Sequence, residues 1–267
     1  MSYFLGYSPQ AYYKSVKVEM RVDQRDKQIL YHIHRIRSKM PRIGGKKLYR
    51  LMYKDVQKMD RPLGRDKFFD ILRKHNLLVK RRKRYEKTTN SYHRFHTYKN
   101  KLKTRVLTGP DQAYVSDITY IRTGLKFVYL FLITDAYSRK IVGWDLSAHL
   151  GIEGGIKSLT MALRQSKGKR GIIHHSDRGI QYCCKEYVRL MKKYHMEISM
   201  TEENHCYENA IAERINGILK DEFLLGENWS DIGQAKKVVR EAIDTYNSLR
   251  PHMSLEFCTP NEIHRAA

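Results

Sequence analysis

A chain of 267 residues, 41% of them hydrophobic, holds enough apolar material for one large or two modest folded units. Its net charge of +23 is concentrated: residues 1–108 carry 30 Lys/Arg against 8 Asp/Glu, whereas the rest is nearly balanced at 21 against 20. The longest apolar run, Phe127 to Ile133, is far too short to span a bilayer, the N-terminus lacks the apolar core of a signal peptide, and no GxxxxGK(S/T) phosphate loop is present.

These exclusions predict a soluble, cytoplasmic protein with no membrane partner. A strongly basic first part attached to a near-neutral remainder points to a nucleic-acid partner held by salt-dependent phosphate contacts. The cysteines Cys183, Cys184, Cys206 and Cys258 form no C-x-x-C pair, so neither a disulfide framework nor a zinc module is expected.

Ser8 and Pro9 open a short predicted helix over residues 8–20, and Ile29, Leu30, Ile33 and Ile36 mark a second over 23–40, closed by Pro41, Gly44 and Gly45. Leu48, Leu51 and Met52 give the next stripe. After Pro62 and Gly64, Phe68, Phe69, Ile71 and Leu72 give another over 65–75, so the pair reads as a helix-turn-helix. In that reading Arg65, Lys67 and Arg73 face DNA from the second helix. Lys80, Arg81, Arg82, Lys83 and Arg84 form a basic run followed by Tyr85, Tyr92, Phe95 and Tyr98, an interleaving suited to stacking on bases and following a phosphate backbone. The expected organisation is a helical DNA-binding region over 1–81, a basic aromatic linker over 82–108 and a second unit over 109–267.

Beyond Gly109 and Pro110 the composition changes. Strands at 112–122, 126–134 and 139–147 predict an antiparallel meander. A helix at 153–166, a strand at 171–175, a helix at 184–194, a strand at 196–200 and a helix at 208–225 then alternate as parallel units do. The expected class is α/β, one mixed sheet flanked by helices. A last helix over 231–248 is stopped by Pro251, and Met253 and Leu255 are expected to fold back on the core.

Three carboxylates stand out. Asp117 interrupts the alternating pattern of its strand, Asp177 follows the apolar run into the turn His174-His175-Ser176-Asp177-Arg178-Gly179, and Glu213 lies on the helix after Asn209-Ala210. Hard oxygen ligands from two strands and a helix are what a divalent cation such as Mg²⁺ requires. Asp135 also ends a strand but reads as a structural hydrogen-bonding residue, and Asp221 and Glu222 read as solvent-facing.

Between Asp117 and Asp177 stand 59 residues, and between Asp177 and Glu213 stand 35. This Asp, Asp, 35 residues, Glu spacing resembles the catalytic core shared by retroviral integrases and bacterial insertion-sequence transposases. Ser116-Asp117-Ile118-Thr119-Tyr120, Asp135 with Tyr137-Ser138-Arg139-Lys140-Ile141-Val142-Gly143-Trp144, Lys220 seven residues past Glu213, and Tyr246-Asn247 with Arg250-Pro251-His252 are similar to the second-open-reading-frame (OrfB) transposases. The resemblance covers residues 110–267, and Gly44-Gly45-Lys46-Lys47-Leu48 is loosely similar to the family's helix-turn-helix region. Relatives commonly have Trp two residues before the first Asp and Asp before the Asn-Ala pair, where this chain has Val115 and Glu208, neither an expected ligand.

The resemblance implies a ribonuclease-H-like fold with a five-stranded mixed sheet, Asp117, Asp177 and Glu213 holding two Mg²⁺ (or Mn²⁺) ions, and cleavage at element ends followed by transfer of the 3′-OH into DNA. Lys220, His175 and Arg178 are then expected to steady the DNA. A homo-multimer pairing two ends and a partner or fusion from an upstream reading frame are further implied partners. The alternatives are a ribonuclease-H-like nuclease without strand transfer and an inactive DNA-binding regulator.

Overall fold

The computed structural model describes residues 8–59, 62–80, 96–202 and 209–266, and the chain divides into two compact units at Lys80/Arg81. Arg81, Arg82, Lys83 and Arg84 and most of the basic aromatic linker lie outside the described residues.

The first unit is helical. α1 is one continuous helix, Pro9–Arg37, rather than two, because no Gly or Pro interrupts the chain between Pro9 and its end; the Ser8 hydroxyl accepts from the Ala11 N–H to cap it. α2 (Gly45–Gln57) and α3 (Arg65–Lys74) follow. Ile29 and Ile33 of α1, Leu48, Met52 and Val56 of α2, and Phe68, Ile71 and Leu72 of α3 supply the buried core. α2 starts close against α3: a Cβ on Gly45 would stand 2.8 Å from the Phe69 ring, which would have to shift.

The second unit is built on β1 (Ala113–Thr123), β2 (Lys126–Asp135), β3 (Ile141–Ser147), β4 (Ile173–Ser176) and β5 (Glu197–Met200), in the spatial order β3-β2-β1-β4-β5. β1, β2 and β3 are antiparallel, and β4 and β5 join parallel. A two-residue β6, Asn228–Trp229, adds to the expected five strands by pairing with Arg122 and Thr123 at the far end of β1.

Because successive side chains of a strand point to opposite faces, β1 serves two layers. Tyr114 joins a cluster with Leu159, Tyr182, Tyr187 and Met191 from α4 (Ile152–Gln165), α5 (Ile180–Cys183) and α6 (Lys185–Lys193). Ala113 and Val115 pack on the other face with Ala212 of α7 (Ala210–Glu222). α4 lies so close to β3 that a Cβ on Gly143 would stand 2.1 Å from the Ser158 carbonyl oxygen.

α8 (Ile232–Ser248) and α9 (Pro260–Arg265) complete the chain. The Asn247 amide mimics a strand partner: its Oδ1 accepts from Ile141 N–H at 2.9 Å and its Nδ2 donates to Ile141 C=O at 2.9 Å. Arg250, 2% exposed, forms a bidentate pair with Glu222 at 2.8 Å on both arms. Glu222 is therefore a buried-pair partner at the end of α7 and not the solvent-facing residue expected. The tail differs as well: Met253 is 56% exposed, while Pro251 and His252 are the residues turned inward.

Candidate active site

The last parallel pair between β1 and β4 is Ser116 with Ser176. The next residue on each chain is a carboxylate, so the register delivers Asp117 and Asp177 side by side from neighbouring strands. Asp117 points to the α7 face, and Ser116 points the other way, where its hydroxyl meets His174 Nε2 at 2.8 Å; the same nitrogen meets the Tyr187 hydroxyl at 2.9 Å. Burial, then the neighbouring His175, push the His174 imidazole down to about 3, so it is neutral and structural.

α7 is stitched to β1. Asn209 Nδ2 donates to the Ser116 carbonyl at 3.0 Å, and Asn216 Nδ2 donates to Asp117 Oδ2 at 2.7 Å. Asp117 Oδ1 accepts from the Ile118 N–H at 2.9 Å, so both of its oxygens are held. Asp177 Oδ1 accepts from Gly179 N–H at 3.0 Å, fixing the turn after β4. Glu213 stands exposed in the first turn of α7.

Asp117 feels the charge of both other acids. Asp117 is raised to about 7, first by burial and next by the charge of Asp177, with Glu213 contributing in the same sense. Half-buried Lys220 sits in the field of Asp117, which opposes the lowering that burial imposes on its ammonium. A buried carboxylate beside a second one suits a divalent cation, and Asp117, Asp177 and Glu213 are the residues that could hold one.

The ligand atoms of these three are not drawn tightly together. Among the described residues the compact group is Asp111, Asp135 and His264, whose ligand atoms lie within 4.8 Å of one another. That group is already bonded: Asp135 accepts from Ser138 N–H (2.6 Å), the Ser138 hydroxyl (2.7 Å) and Asp111 N–H (2.8 Å), and Asp111 accepts from the Tyr114 hydroxyl (2.6 Å). Asp135 is thus a structural residue that organises the turn after β2, in keeping with the sequence reading.

The remaining expected contacts divide. His175 is fully buried with Nδ1 on the Ser199 hydroxyl at 2.9 Å, so it cannot touch a DNA strand; its place in the middle of the parallel strands, inside the sheet, overrides its proximity in sequence to Asp177. Arg178 is half-buried, with Nε donating to the Thr201 carbonyl at 2.8 Å. Arg65, Lys67 and Arg73 are exposed on α3, where Arg65 pairs with Asp66 and Arg73 with Asp70, and the Lys80 side chain is exposed too. Asn216 carried no sequence reading; its only signal was its place one helical turn after Glu213.

Two aspartates at the mouth of a parallel strand pair, faced by a helix carrying a glutamate and a lysine, define an integrase-type core of ribonuclease-H-like fold. The integrase core domain family matches residues 108–206 and, in a second model, 194–260. The uncharacterized 31 kDa protein of insertion element IS600 from Shigella sonnei is 35% identical over 200 residues, covering 74% of each chain. Transposase InsF of insertion sequence IS3A from Escherichia coli (strain K12) is 35% identical over 146 residues, 54% of this chain and 51% of that one, so the match spans about half of InsF. In fold, the chain is similar to a component of the simian T-cell lymphotropic virus intasome complexed with PP2A regulatory subunit B56 gamma, with a TM-score of 0.53, 17% identity, and coverage of 88% of this chain and 75% of that one. The chain belongs to the insertion-sequence transposases with an integrase-type core.

Proposed function

We propose that the protein cleaves DNA at the ends of its element with water and then joins the freed 3′-OH to a target strand, both at the site formed by Asp117, Asp177 and Glu213. The observation that carries this reading is the parallel register of β1 and β4, which sets Asp117 and Asp177 side by side, with Asn216 of the helix that bears Glu213 donating to Asp117. Two Mg²⁺ or Mn²⁺ ions held there would supply activation of the attacking oxygen and stabilisation of the leaving one in an in-line displacement at phosphorus.

The chain's own residues do the positioning. β1 and β4 fix Asp117 and Asp177 in register, and Glu213 lies in the first turn of α7, the helix that packs on β1. Lys220, seven residues and about 10 Å further along α7, holds a phosphate of the reacting strand beside the carboxylates. Arg178, anchored to Thr201, steadies the same strand from the turn after β4.

Residues 1–81 bind the element's terminal repeats through α3, with Arg65, Lys67, Arg73 and Lys80 contacting DNA, and residues 82–108 follow the backbone toward the core at 109–267. The ion pairs of Arg65 and Arg73 with their own helix are exposed and worth at most about 1 kcal/mol, so phosphates displace them readily. The working form is a homo-multimer that pairs two ends, with an upstream-frame product as partner or fusion.

The test is incubation of the purified protein and an Asp177→Asn variant with labelled duplex carrying the element's end, with Mg²⁺ or Mn²⁺. Metal-dependent nicking and joining that vanish in the variant are the expected result. Nicking without joining would leave a nuclease of ribonuclease H type, and end binding without either reaction in both proteins would leave a DNA-binding regulator.

A further inference from the structure

Asn216 lies at the centre of the site without being a ligand or a surface residue. It is 7% exposed, and its Nδ2 donates to Asp117 Oδ2 at 2.7 Å. The other oxygen of Asp117 is held by the Ile118 N–H, so the carboxylate is clamped about its terminal torsion by one main-chain donor and one side-chain donor. The side-chain donor rides on α7, three residues after Glu213 and four before Lys220.

The remaining half of the amide is informative. Asn216 Oδ1 is buried and has no protein partner among the described residues, and the same is true of Asn209 Oδ1. A buried amide kept for stability alone satisfies both of its ends, because an unsatisfied buried acceptor costs about 1–3 kcal/mol. Here the donor end is committed to the carboxylate, and among the described residues the acceptor end has no protein partner. Asn209 makes the matching contact one residue upstream, on the Ser116 carbonyl.

We propose that Asn216 is a positioning residue for the metal-ligand set: it fixes the Asp117 carboxylate in the orientation that receives a divalent cation, and ties the azimuth of α7, and hence Glu213, to that orientation. This rests on the reading of Asp117, Asp177 and Glu213 as the ligand set. Loss of the amide leaves Asp117 free to rotate toward and away from Asp177, so cation affinity falls, while the phosphoryl-transfer rate of the loaded enzyme changes little.

The test uses the full chain with Mn²⁺ as probe, by calorimetric titration without DNA, on wild type, Asn216→Leu (similar volume, no donor), Asn216→Ser (a shorter donor) and Asp177→Asn. Expected is Mn²⁺ binding weakened tenfold or more in Asn216→Leu, in the range that outer-shell partners command, with Asn216→Ser between it and wild type. The nicking rate at saturating Mn²⁺ should stay within about threefold of wild type, since the amide acts before the chemical step. Unchanged Mn²⁺ affinity in Asn216→Leu overturns the proposal, as does a rate loss that saturating Mn²⁺ leaves in place. If thermal denaturation shows that Asn216→Leu does not fold, Asn216→Ser decides by the same criteria. Failure of the underlying reading is separate: wild type would then bind no Mn²⁺, or Asp177→Asn would bind it as well as wild type.

Discussion

Replacing Asp117 by Asn should make the metal-free protein relatively more stable as pH rises. In the folded protein Asp117 is raised from 3.8 to about 7, mainly by burial and the charge of Asp177. Between those two values the folded state binds more protons at this position than the unfolded chain does, so wild-type stability falls as pH climbs through the window. At full value the penalty above pH 7 would reach about 4 kcal/mol, from roughly 1.4 kcal/mol per pH unit. Asp117 is half-buried rather than sealed, so solvent screening reduces the part accumulated between pH 5 and pH 8 to about 1–2 kcal/mol. Asn carries no charge at any pH and keeps an oxygen for Asn216, losing only an acceptor for Ile118 N–H, a pH-independent cost of about 1 kcal/mol.

The assay is urea denaturation of both proteins at pH 5 and pH 8 with a chelator present, repeated at pH 8 with Mn²⁺. The stability difference should move toward the variant by about 1–2 kcal/mol between the two pH values. Mn²⁺ should then stabilise wild type only, since a ligand that binds the folded state shifts the equilibrium by mass action. A difference that is the same at both pH values, or Mn²⁺ stabilisation that survives in the variant, would refute the argument that repulsion and burial at Asp117 are relieved by a cation.

Arg250→Ala should cost about 3–5 kcal/mol of unfolding free energy, read by chemical denaturation, because it strands Glu222 beside the core; Arg250→Met together with Glu222→Leu should recover much of that loss. Combined Arg65→Ala, Lys67→Ala and Arg73→Ala should weaken duplex binding and lower its salt dependence by up to about three phosphate contacts, measured by titration at several salt concentrations. Asp135→Asn should lower thermal stability through its three donors while leaving Mn²⁺ affinity unchanged, which calorimetry separates from the effect of Asp177→Asn. Lys220→Ala should raise the KM for the end duplex by about tenfold, the loss expected of one charge-assisted contact.

The candidate acids were legible because their logic is local or is a count. Asp117 interrupts a strand, Asp177 closes an apolar run in a turn, and 35 residues separate it from Glu213. The strands and most helices were legible for a similar reason, since side-chain period and Gly/Pro punctuation are properties of short windows. The break expected within α1 failed on this point: low helix propensity at Val16, Val18 and Val22 is a weak signal, and no residue there actually stops a helix.

What the sequence by itself determined was therefore the class, the order of the elements and the candidate acids. Tertiary structure alone decided which neighbours those acids have. His175 and Asp177 stand two apart in the chain, yet one is sealed in the sheet and the other is at its mouth, because β4 ends between them. Glu222 reads like any polar residue at the end of a helix until Arg250, 28 positions later, is folded against it. Asn216 gains its role from Asp117, 99 positions away, through a 2.7 Å contact that exists only once α7 lies on β1. Periodicity and spacing are written along the chain, whereas burial, pairing and a perturbed carboxylate arise only when distant segments share one space.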